Sequence, residues 1–526
     1  MNPRLRTAQG RPAACTRITS MNFEQMLEGA EVLVRTGNPS VGGLAYDSRR
    51  VQPGFVFLAI RGETSDGNQF IDQAIAAGAA AVVTDAASQT PREGVGWALV
   101  AHGRRALGRL SANFYKRPAE RLAISGITGT NGKSTTAFLL ESVLATAGRK
   151  VALVGTIEYH VAGKVLPAPH TTPEALELNQ ILAEGLANGA TEAVMEVSSH
   201  ALAQQRIFAV PFDAAVFTNL TRDHLDYHRS MEEYFAAKQV LFEGCGTEAP
   251  RAAVINLDDE YGRKLLGLSR SRGSRVLTYG WSRGDVHASG VQITSQGTRF
   301  DLVTPGETVP LFSPLIGRVN VYNILAAAGA ALARECAPRQ IAAGVAALTR
   351  VPGRFERVAC GQPFTVVVDY AHTDDALRNL TGLAREFVTQ AGQKGRVLTV
   401  FGCGGDRDRA KRPLMGEAAG RGSDFTVLTS DNPRSEDPLA IMNDAVVGLQ
   451  RSGGKYALEP DRTAAIALAI AEARPGDIVL VAGKGHEKVQ ISREGTIPFD
   501  DVEVCRTVLR KAGYECQTAQ AAGRTQ

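Results

Sequence analysis

The sequence predicts an α/β protein with a small N-terminal α/β domain, a central domain that carries a phosphate-binding loop on a parallel sheet, and a C-terminal Rossmann-like α/β domain. Short apolar segments alternate with helical segments along most of the chain, which is typical of parallel, doubly wound sheets. A strand, a glycine loop and a helix follow one another in LAISGITGTNGKSTTAFLLESVL. The length of 526 residues corresponds to about three or four domains.

Composition excludes several classes of protein. The chain carries 58 Lys and Arg against 54 Asp and Glu, an excess too small for the basic face of a nucleic-acid-binding protein. Its 44% hydrophobic residues suit globular cores, and its apolar runs fall short of the roughly 18 residues of a membrane span. Seven cysteines without paired spacing predict no disulfide framework, and Cys360 and Cys403 are expected to be buried thiols. These features suggest a reducing compartment, taken as the cytoplasm, and no nucleic-acid or membrane partner. A monomer is a separate expectation that composition does not decide.

The domain boundaries are predicted from changes in this pattern. Residues 1–20 contain four Arg and no acid and lack the apolar segment of a secretory signal. An organellar transit peptide is one interpretation of such a start, and a disordered extension before a second start at Met21 is the preferred one. The first domain is predicted over 21–118, with strands in GGLAYDS, GFVFLAI and AAVVTD. The central domain, predicted over 119–351, has strands in LAISGI, VALVG, EAVMEV, DAAVFTN and AAVIN and then an antiparallel ribbon. The Pro-Gly of RVPGRFE marks the start of the third domain, which is predicted over 352–526 with strands in FTVVVDYAH, RVLTVFGCGG, FTVLTSD, YALEP and DIVLVAGKG.

The glycine loop at the start of the central domain predicts a phosphate site. Helix N-termini present unpaired N–H groups and a partial positive charge, which bind phosphate. We expect Gly126, Gly129 and Gly132 to let the backbone wrap the anion. Lys133 would reach the β- and γ-phosphates of a nucleotide, and Ser134 would ligate Mg²⁺. The loop is a variant of the standard motif, because five residues separate Gly126 from the Gly-Lys pair and two separate Gly129 from it.

Acidic and histidine side chains follow two other central strands. Glu196 ends EAVMEV, and Asp223 and His224 lie in LTRDHLDYH after DAAVFTN. Because the carboxyl ends of parallel strands face the ligand crevice, these residues are placed where a metal on ATP would lie. A polar helix start capped by Asp223 is an equal alternative for this cluster. Lys238, in SMEEYFAAKQVLF, is on composition alone a solvated lysine.

A set of motifs occurs in the order of one enzyme family: GTNGKST, EVSSH, TNLTRDHLDYH with AAKQVLF, NVYN, PGRFE, VVDYAHT and GCGGDRDRAKRP. The chain resembles the Mur ligases, the ATP-dependent amide-forming enzymes of peptidoglycan precursor synthesis. The resemblance runs through nearly the whole chain, from residue 40 to residue 505. It implies the three-domain Mur ligase architecture and a role in cell-wall biogenesis, and thus in cell shape and division.

The tetrapeptide DNPR at 431–434 resembles the signature of the family members that add meso-diaminopimelate to UDP-N-acetylmuramoyl-L-alanyl-D-glutamate. The far end of diaminopimelate carries an amine and a carboxylate. Arg434 can form a forked pair with that carboxylate, and Asp431 can pair with the ammonium. A simple turn at Asn432-Pro433 is the structural alternative, and both can hold at once.

Three other functions stay open at this point. A lysine-adding Mur ligase is disfavoured by DNPR. Folylpolyglutamate synthase shares the phosphate loop and the lysine motif, but it lacks a front domain of roughly 100 residues of this kind. A non-catalytic nucleotide-binding protein on the same fold need not retain the loop lysine, Glu196, His224 and Lys238.

The resemblance also implies roles for individual residues. The catalytic set is Lys133, Glu196, His224 and Lys238. ATP would be held by Gly129, Thr130, Asn131, Gly132, Lys133, Ser134, Thr135, Asn323, Arg354 and Asp369. Magnesium would be bound by Ser134, Glu196, His224 and Lys238. Lys238 would act as a CO₂-derived carbamate, which supplies the oxygen ligand that a hard cation accepts.

Two further sets are implied for the other substrates. The UDP substrate would be bound by Tyr46, Ser48, Glu63, Thr64, Ser65, His170, Thr171, Thr172, Ser198, Gln204 and Arg206. Tyr46 and His170 depart from the leucine and asparagine that are familiar in the family. Diaminopimelate would be bound by Arg407, Asp431, Asn432, Pro433, Arg434, Gly483 and Glu487.

The chemistry implied by the resemblance has three steps. The D-Glu side-chain carboxylate attacks the γ-phosphate of ATP, and an acyl phosphate and ADP form. The amine of diaminopimelate then attacks, and a tetrahedral intermediate collapses to an amide and phosphate. Phosphoryl transfer depends on positioning and charge neutralisation, which Lys133 and the metal site would supply. The residues do not identify the base that deprotonates the amine.

Overall fold

The computed structural model describes residues 21–62, 65–390 and 395–516. The extension at 1–20 and the predicted substrate contacts Glu63 and Thr64 therefore lie outside the described residues. The described chain forms two compact units. The first comprises residues up to 121 together with 173–186 and 204–210, and the second comprises the rest.

The N-terminal segment contains seven strands, of which five form one sheet and the other two pair separately. Its strands are β1 (Met21–Asn22), β2 (Val32–Thr36), β3 (Ser40–Val41), β4 (Gly43–Ala45), β5 (Phe55–Ala59), β6 (Ala81–Thr84) and β7 (Gly96–Val100), and its helices are α1 (Phe23–Met26), α2 (Ile71–Ala76) and α3 (Gly103–Phe114). Short 3₁₀ turns span Ser48–Arg50, Gly67–Phe70 and Pro118–Arg121. The sheet order is β2-β7-β6-β5-β4, with β2 antiparallel and the others parallel, and β1 pairs with β3. The predicted strands of this segment are confirmed.

The central segment contains one large sheet and eight helices. Its strands are β8 (Ala123–Thr128), β9 (Val151–Val154), β10 (Glu158–Val161), β11 (Lys164–Pro167), β12 (Glu192–Glu196), β13 (Ala214–Phe217), β14 (Ala252–Asn256), β15 (Arg275–Gly280), β16 (Val286–Thr294), β17 (Gly297–Thr304) and β18 (Glu307–Ser313). Its helices are α4 (Lys133–Thr146), α5 (Ala175–Ala187), α6 (Ser199–Ala203), α7 (Leu225–His228), α8 (Met231–Glu243), α9 (Glu260–Ser271), α10 (Arg318–Ala333) and α11 (Pro338–Ala347).

The strand order of this sheet sets the position of the predicted site. The order is β11-β10-β9-β12-β8-β13-β14-β15-β16-β17-β18. Strands β9 to β16 in this order are parallel, and the ribbon β16-β17-β18 is antiparallel, as predicted. Strands β13 and β14 are buried at every residue, as expected where helices cover both faces of a parallel sheet. Strand β8 lies between β12 and β13, so the ends of the three strands that carry the predicted site lie side by side.

The C-terminal segment contains a six-stranded sheet flanked by helices and a separate two-stranded hairpin. Its strands are β19 (Glu356–Val358), β20 (Thr365–Asp369), β21 (Val397–Cys403), β22 (Phe425–Ser430), β23 (Tyr456–Leu458), β24 (Ile478–Ala482), β25 (Val489–Ser492) and β26 (Gly495–Pro498). Its helices are α12 (Asp374–Gln390), α13 (Lys411–Gly422), α14 (Pro438–Ser452), α15 (Arg462–Glu472) and α16 (Asp501–Lys511). The order is β19-β20-β24-β21-β22-β23, parallel except for β19, and β25 and β26 pair as a separate hairpin. This doubly wound sheet confirms the predicted fold class.

Two remaining findings concern the cysteines and the membrane. Cys360 is buried, as predicted, but it is joined to Cys516 by a disulfide, which the expectation of no disulfide framework did not foresee. The two cysteines are 156 residues apart, and such a pair becomes visible only when the fold brings both ends of the segment together. Cys403 is a free, buried thiol, as predicted. No helix in the described ranges has the length and apolar character needed to cross a membrane.

Candidate active site

The glycine loop between β8 and α4 is shaped by two glycines. Gly129 has φ +148°, and a Cβ there would lie 1.9 Å from Oγ1 of Thr218. Gly132 has φ +86°, and a Cβ there would lie 2.3 Å from Oδ1 of Asn323. Side chains are excluded at both positions by space and by backbone conformation. Asn323, one of the predicted nucleotide residues, is therefore in direct contact with the loop.

Gly126 does not belong to this loop, contrary to prediction. It lies inside β8, and a Cβ there would meet the ring of Phe212 at 2.6 Å. The glycine is needed for close packing on the sheet and does not wrap an anion. Because the loop begins only after Thr128, the spacing measured from Gly126 has no bearing on phosphate binding.

Lys133, the first residue of α4, turns back over the loop. Its Nζ donates to the carbonyl oxygens of Gly129 at 2.9 Å and Thr130 at 2.8 Å. Burial lowers the pKa of Lys133, and the Glu196 carboxylate opposes that shift. The amine is thus held beside the unpaired N–H groups of the α4 N-terminus, where a phosphate would bind.

Glu196 lies at the end of β12, next to the loop, as the strand order requires. Its Oε2 accepts hydrogen bonds from Ser134 Oγ at 3.0 Å and from Thr156 Oγ1 at 2.9 Å. Its Oε1 accepts one from the backbone N–H of Thr156 at 2.7 Å. Glu196 is buried, so these donors offset its loss of water. The predicted metal ligands Ser134 and Glu196 are therefore in contact, and Thr156 is a neighbour that the motifs did not indicate.

Lys238 is buried in α8, so its interpretation as a solvated lysine is wrong. Its side chain is 1% exposed, and Nζ donates to the Gly129 carbonyl at 2.9 Å and lies 4.6 Å from the Tyr234 ring centre. Burial, together with the nearby Lys133 ammonium, holds the pKa of Lys238 well below its usual value. A buried amine of lowered pKa is more often neutral and therefore nucleophilic.

His224 precedes α7 with φ +55°. Burial lowers its pKa although Asp223 opposes the shift, so the ring is neutral at neutral pH and can offer a nitrogen lone pair. Within the described ranges, His, Cys, Asp and Glu side chains form no group of three that could hold a metal ion. A divalent ion between Glu196 and His224 would need oxygen from other residue types. Ser134 already contacts Glu196, and a carbamate on Lys238 would supply a further oxygen.

Asp223 links the central and C-terminal segments. The strand pattern placed it near the metal, but the resemblance did not include it among the ligands. Its carboxylate lies 3.5 Å from Nε2 of His224, 3.9 Å from Nε2 of His372 and 3.8 Å from Nζ of Lys411. Burial alone would raise the pKa of Asp223, but these basic groups lower it. The motifs DYAHT and GCGGDRDRAKRP thus meet the TRDH motif at one buried carboxylate.

Arg354 brings the C-terminal segment to the phosphate loop. Its Nη2 donates to Ser134 Oγ at 3.2 Å, and its guanidinium lies 4.7 Å from the Tyr370 ring centre. Asp369 accepts the N–H groups of Phe355 at 2.7 Å and Ala371 at 2.8 Å, which holds the backbone beside Arg354 in place. Of the predicted nucleotide residues, Arg354 thus contacts the loop directly, and Asp369 fixes the backbone next to Arg354.

The rest of the loop is also tied to neighbouring segments. Asn131 is fixed by two hydrogen bonds. Its N–H donates to Asn219 Oδ1 at 3.0 Å, and its Nδ2 donates to Asp375 Oδ2 at 3.0 Å. Thr130 Oγ1 donates to the Thr221 carbonyl at 3.1 Å. Thr135 is buried in the first turn of α4. Asp375, at the start of α12, is a further residue that the motifs did not indicate.

Three of the predicted UDP-substrate residues of the first unit lie at two glutamates, Glu174 just before α5 and Glu177 within it. Tyr46 donates to Glu177 Oε2 at 3.0 Å, and Arg206 lies 3.1 Å from Glu174 Oε1. Gln204 accepts from Arg206 at 2.9 Å. The remaining two are Ser48, which donates to Gln73 at 3.2 Å, and Ser65, which is exposed.

Three of the predicted UDP-substrate residues of the second unit lie beside Glu196. Thr172 Oγ1 donates to the Glu196 carbonyl at 2.9 Å and accepts the Ser198 N–H at 3.0 Å. Thr171 Oγ1 lies 3.1 Å from Thr156 Oγ1, which contacts the Glu196 carboxylate. The fourth, His170, contacts β10 instead, where its carbonyl accepts a hydrogen bond from Tyr159 at 2.5 Å.

The predicted diaminopimelate residues gather beyond β22 and β24. Arg434 Nη1 donates to the Gly405 carbonyl at 2.7 Å. Burial lowers the pKa of Arg434, and the nearby Arg407 guanidinium lowers it further. Asn432 Nδ2 donates to Glu487 Oε2 at 2.8 Å. Two guanidinium groups and two carboxylates, those of Asp431 and Glu487, are therefore placed in one region, which suits a ligand with both charges.

Gly483 and Pro433 give this region its close packing. A Cβ on Gly483, which has φ +115°, would lie 2.5 Å from Oδ2 of Asp431. A Cβ on Gly405 would lie 1.9 Å from the Pro433 carbonyl oxygen. The glycine loop after β21 and the DNPR turn after β22 are thus in direct contact. Lys484, between the predicted residues Gly483 and Glu487 in sequence, is fully buried here and was not among the predicted ligands.

Comparison with known proteins gives consistent matches along the chain. The family description "Mur ligase family, catalytic domain" matches residues 40–115, "Mur ligase middle domain" matches 127–331, and "Mur ligase, glutamate ligase domain" matches 353–485. A protein of Solibacter usitatus named UDP-N-acetylmuramoyl-L-alanyl-D-glutamate–2,6-diaminopimelate ligase is 55% identical over 90% of this chain and 94% of its own length. A protein of the same name from Geobacter metallireducens is 45% identical over 93% of this chain and 99% of its own length.

A solved structure of similar fold carries the same enzyme name. It is 32% identical, with a TM-score of 0.66, and the match covers 94% of this chain and 100% of that one.

Proposed function

Since the chain belongs to the Mur ligase family, we propose that it adds meso-diaminopimelate to the D-Glu side-chain carboxylate of UDP-N-acetylmuramoyl-L-alanyl-D-glutamate in an ATP-dependent reaction. The observation that carries this proposal is that the Arg434 and Arg407 guanidinium groups lie in the same region as the Asp431 and Glu487 carboxylates, near enough to shift the pKa of Arg434. A second charged end on the incoming amino acid is what such a region can recognise. A relative that carries this enzyme's name is 55% identical to the chain.

ATP and Mg²⁺ are proposed as the cofactors of the reaction. The glycine loop would hold the phosphates, with Lys133 and Arg354 placed to neutralise charge. Ser134, Glu196, His224 and a carbamate on Lys238 would hold Mg²⁺, which neutralises phosphate charge when it is bound. The donor set fits a hard cation because three of the four groups offer oxygen.

The roles of the chain follow the order of the reaction. The D-Glu carboxylate would be placed near Thr172 and Ser198, beside the loop, and would attack the γ-phosphate of ATP. Lys133 stabilises the charge that shifts onto the bridging oxygen and ADP. The resulting acyl phosphate would be attacked by the amine of diaminopimelate, whose far end is held by Arg434 and Asp431. Collapse of the tetrahedral intermediate releases phosphate and leaves the amide.

A carbamate on Lys238 is the finer part of this proposal. Addition of the neutral amine to CO₂ forms an N–C bond and releases one proton, and burial of Lys238 favours the neutral amine. The test is ¹³C NMR of the protein equilibrated with ¹³CO₂, in which a carbamate signal is expected and should vanish in Lys238→Met. A wild-type spectrum without that signal would exclude the modification.

The proposed reaction is tested by phosphate release with ATP, Mg²⁺, the UDP-dipeptide and one amino acid. Release is expected with meso-diaminopimelate and not with L-lysine. Activity with L-lysine alone would identify a lysine-adding ligase, and inactivity with both would favour a non-catalytic nucleotide-binding protein. The cytoplasmic location and the monomeric state stay predictions, which fractionation and light scattering would check.

The phosphate loop has its own test in Lys133→Ala. The variant lacks the ammonium that contacts the Gly129 and Thr130 carbonyls, and we expect it to abolish phosphate release. Far-UV circular dichroism provides the folding control. ATP-dependent turnover retained in a folded variant would overturn the loop assignment.

A further inference from the structure

A fully buried lysine lies behind the proposed amino-acid site. Lys484 follows β24 and is 0% exposed. Its Nζ donates to Asn432 Oδ1 at 2.9 Å and to Glu487 Oε2 at 3.2 Å, and Oδ1 of Asp431 lies 3.8 Å away. Because the ammonium has no access to solvent, any effect on a substrate must pass through these three side chains.

The hydrogen bonds of Lys484 orient Asn432. Oδ1 of Asn432 accepts both the Lys484 ammonium and the Ile491 N–H at 2.9 Å. Its Nδ2 donates to Glu487 Oε2 at 2.8 Å. The amide is therefore held in one orientation, and the DNPR turn is tied both to the loop after β24 and to the hairpin strand β25.

The same hydrogen bonds orient Glu487. Its Oε2 accepts from both Asn432 and Lys484, whereas Oε1 receives no hydrogen bond from the described part of the chain. The side chain of Glu487 is 28% exposed. One carboxylate oxygen is thus held by the protein and the other is available to a ligand.

Charge balance gives Lys484 a second effect. Asp431 is 8% exposed, and within residues 21–62, 65–390 and 395–516 its carboxylate accepts no hydrogen bond. Two carboxylates that share a largely buried region repel each other unless a cation is near. Lys484 Nζ lies 3.8 Å from Asp431 Oδ1 and 3.2 Å from Glu487 Oε2, so its positive charge offsets that repulsion where an ammonium group would be received.

We propose that Lys484 is the positioning residue for recognition of the second amine of the incoming diamino acid. It holds Asp431, Asn432 and Glu487 in the arrangement that receives the ammonium, while Arg434 faces the second carboxylate. The proposal rests on the proposed function and assigns the two charges of the far end to two separate parts of the site.

The test uses meso-diaminopimelate and two analogues, each of which lacks one of its two far-end charged groups. Meso-diaminopimelate has both far-end groups, L-2-aminopimelate lacks the second amine, and L-lysine lacks the second carboxylate. In Lys484→Met we expect KM for meso-diaminopimelate to rise about 10- to 100-fold, which is the effect of losing a charged hydrogen bond. KM for ATP and for the UDP-dipeptide should change less than about twofold.

The selectivity ratios distinguish positioning from a general structural effect. In Lys484→Met the preference for meso-diaminopimelate over L-2-aminopimelate should fall about tenfold or more, while the preference over L-lysine is retained. Unchanged selectivity ratios would overturn the proposal. So would an equal increase in KM for ATP, for the UDP-dipeptide and for meso-diaminopimelate. Arg396→Met is the matched control, because Arg396 pairs with buried Asp477 at 2.8 Å at the opposite ends of β21 and β24. It should lower the unfolding temperature and leave the ratios unchanged.

A double variant adds a second test of the same role, alongside the two single variants. Glu487→Gln combined with Lys484→Met removes one charge of each sign from the same network. Because Lys484 acts through Glu487, the effects of the two changes on KM should be strongly non-additive, and additive effects would overturn the proposal. A wild-type enzyme that uses L-lysine instead would overturn the proposed function, whereas normal use of meso-diaminopimelate with unaltered ratios in the variants would overturn only the role of Lys484.

Discussion

The phosphate-loop region and the amino-acid region each bury a lysine, and the surroundings of the two lysines differ. Lys238 donates to a single backbone carbonyl, that of Gly129, and lies over the Tyr234 ring. Lys484 donates to Asn432 and to the Glu487 carboxylate, with a second carboxylate at 3.8 Å. A buried amine is reactive where no carboxylate pairs with it and serves as a fixed charge where carboxylates do. This difference in surroundings supports the two proposed roles, modification for Lys238 and positioning for Lys484.

The largest expected effect tests the first part of this comparison, the need for the Lys238 amine. Lys238→Met removes the amine that would carry the carbamate, and we expect phosphate release to fall by at least about 100-fold, as when a preorganised charge-stabilising group is lost. Lys264→Met, an exposed lysine paired with Glu260 on a nearby helix, should retain full activity. Near-normal phosphate release by a folded Lys238→Met would show that the reaction does not need this amine.

A smaller effect tests the second part of this comparison, the amino-acid region, through Arg434. Arg434→Lys keeps the positive charge but loses the planar group that can grip a carboxylate while one N–H donates to Gly405. We expect KM for meso-diaminopimelate to rise about 10- to 100-fold and the preference over L-lysine to shrink. Steady-state kinetics with both amino acids measures this. Arg434→Lys should reduce selection of the second carboxylate, whereas Lys484→Met should reduce selection of the second amine. An Arg434→Lys variant that lost its preference over L-2-aminopimelate instead would contradict this division of the site.

The smallest effect concerns the helix behind the phosphate loop. His160 on β10 lies between Glu141 of α4 at 2.7 Å and Glu158 at 2.9 Å. Partial burial lowers its pKa, but the two carboxylates raise it more, to about 9. Because the folded pKa exceeds the usual 6.5, this stabilisation is fully present below pH 6.5 and is lost as pH rises through about 9.

The corresponding variant is His160→Gln. It should lower the midpoint of thermal unfolding by about 2–4 °C at pH 6 and by much less at pH 9.5, with the activity at neutral pH little changed. The exposed His102, substituted in the same way, serves as the control. A deficit in the His160 variant that is equal at both pH values would mean that the charge of His160 does not stabilise the fold.

Strand positions show how far local pattern reaches. Glu196 was expected beside the loop because it ends a strand, and its contact with Ser134 agrees. The strand–helix alternation likewise predicted both parallel sheets and the antiparallel ribbon. These inferences hold because period and strand polarity are properties of short segments.

Burial and long-range contacts show where local pattern fails. Lys238 lies in a helix with mixed polarity, and only the packing of α8 against the loop buries its amine. Gly126 was expected to wrap phosphate, but the approach of Phe212 from elsewhere in the chain explains this glycine. The pairing of Cys360 with Cys516 likewise depends on residues distant in sequence.

The sequence by itself determined the α/β class, the order of the strands along the chain, the phosphate loop and the family, because these depend on local periodicity and on ordered motifs. Only the tertiary structure decided which amines lose their water, which carboxylates share a cation, and which segments meet at Asp223 and Lys484. Desolvation and ion pairing depend on atoms that are distant in sequence and close in space. The chemical difference between Lys238 and Lys484 therefore arises from the fold and not from the residue type.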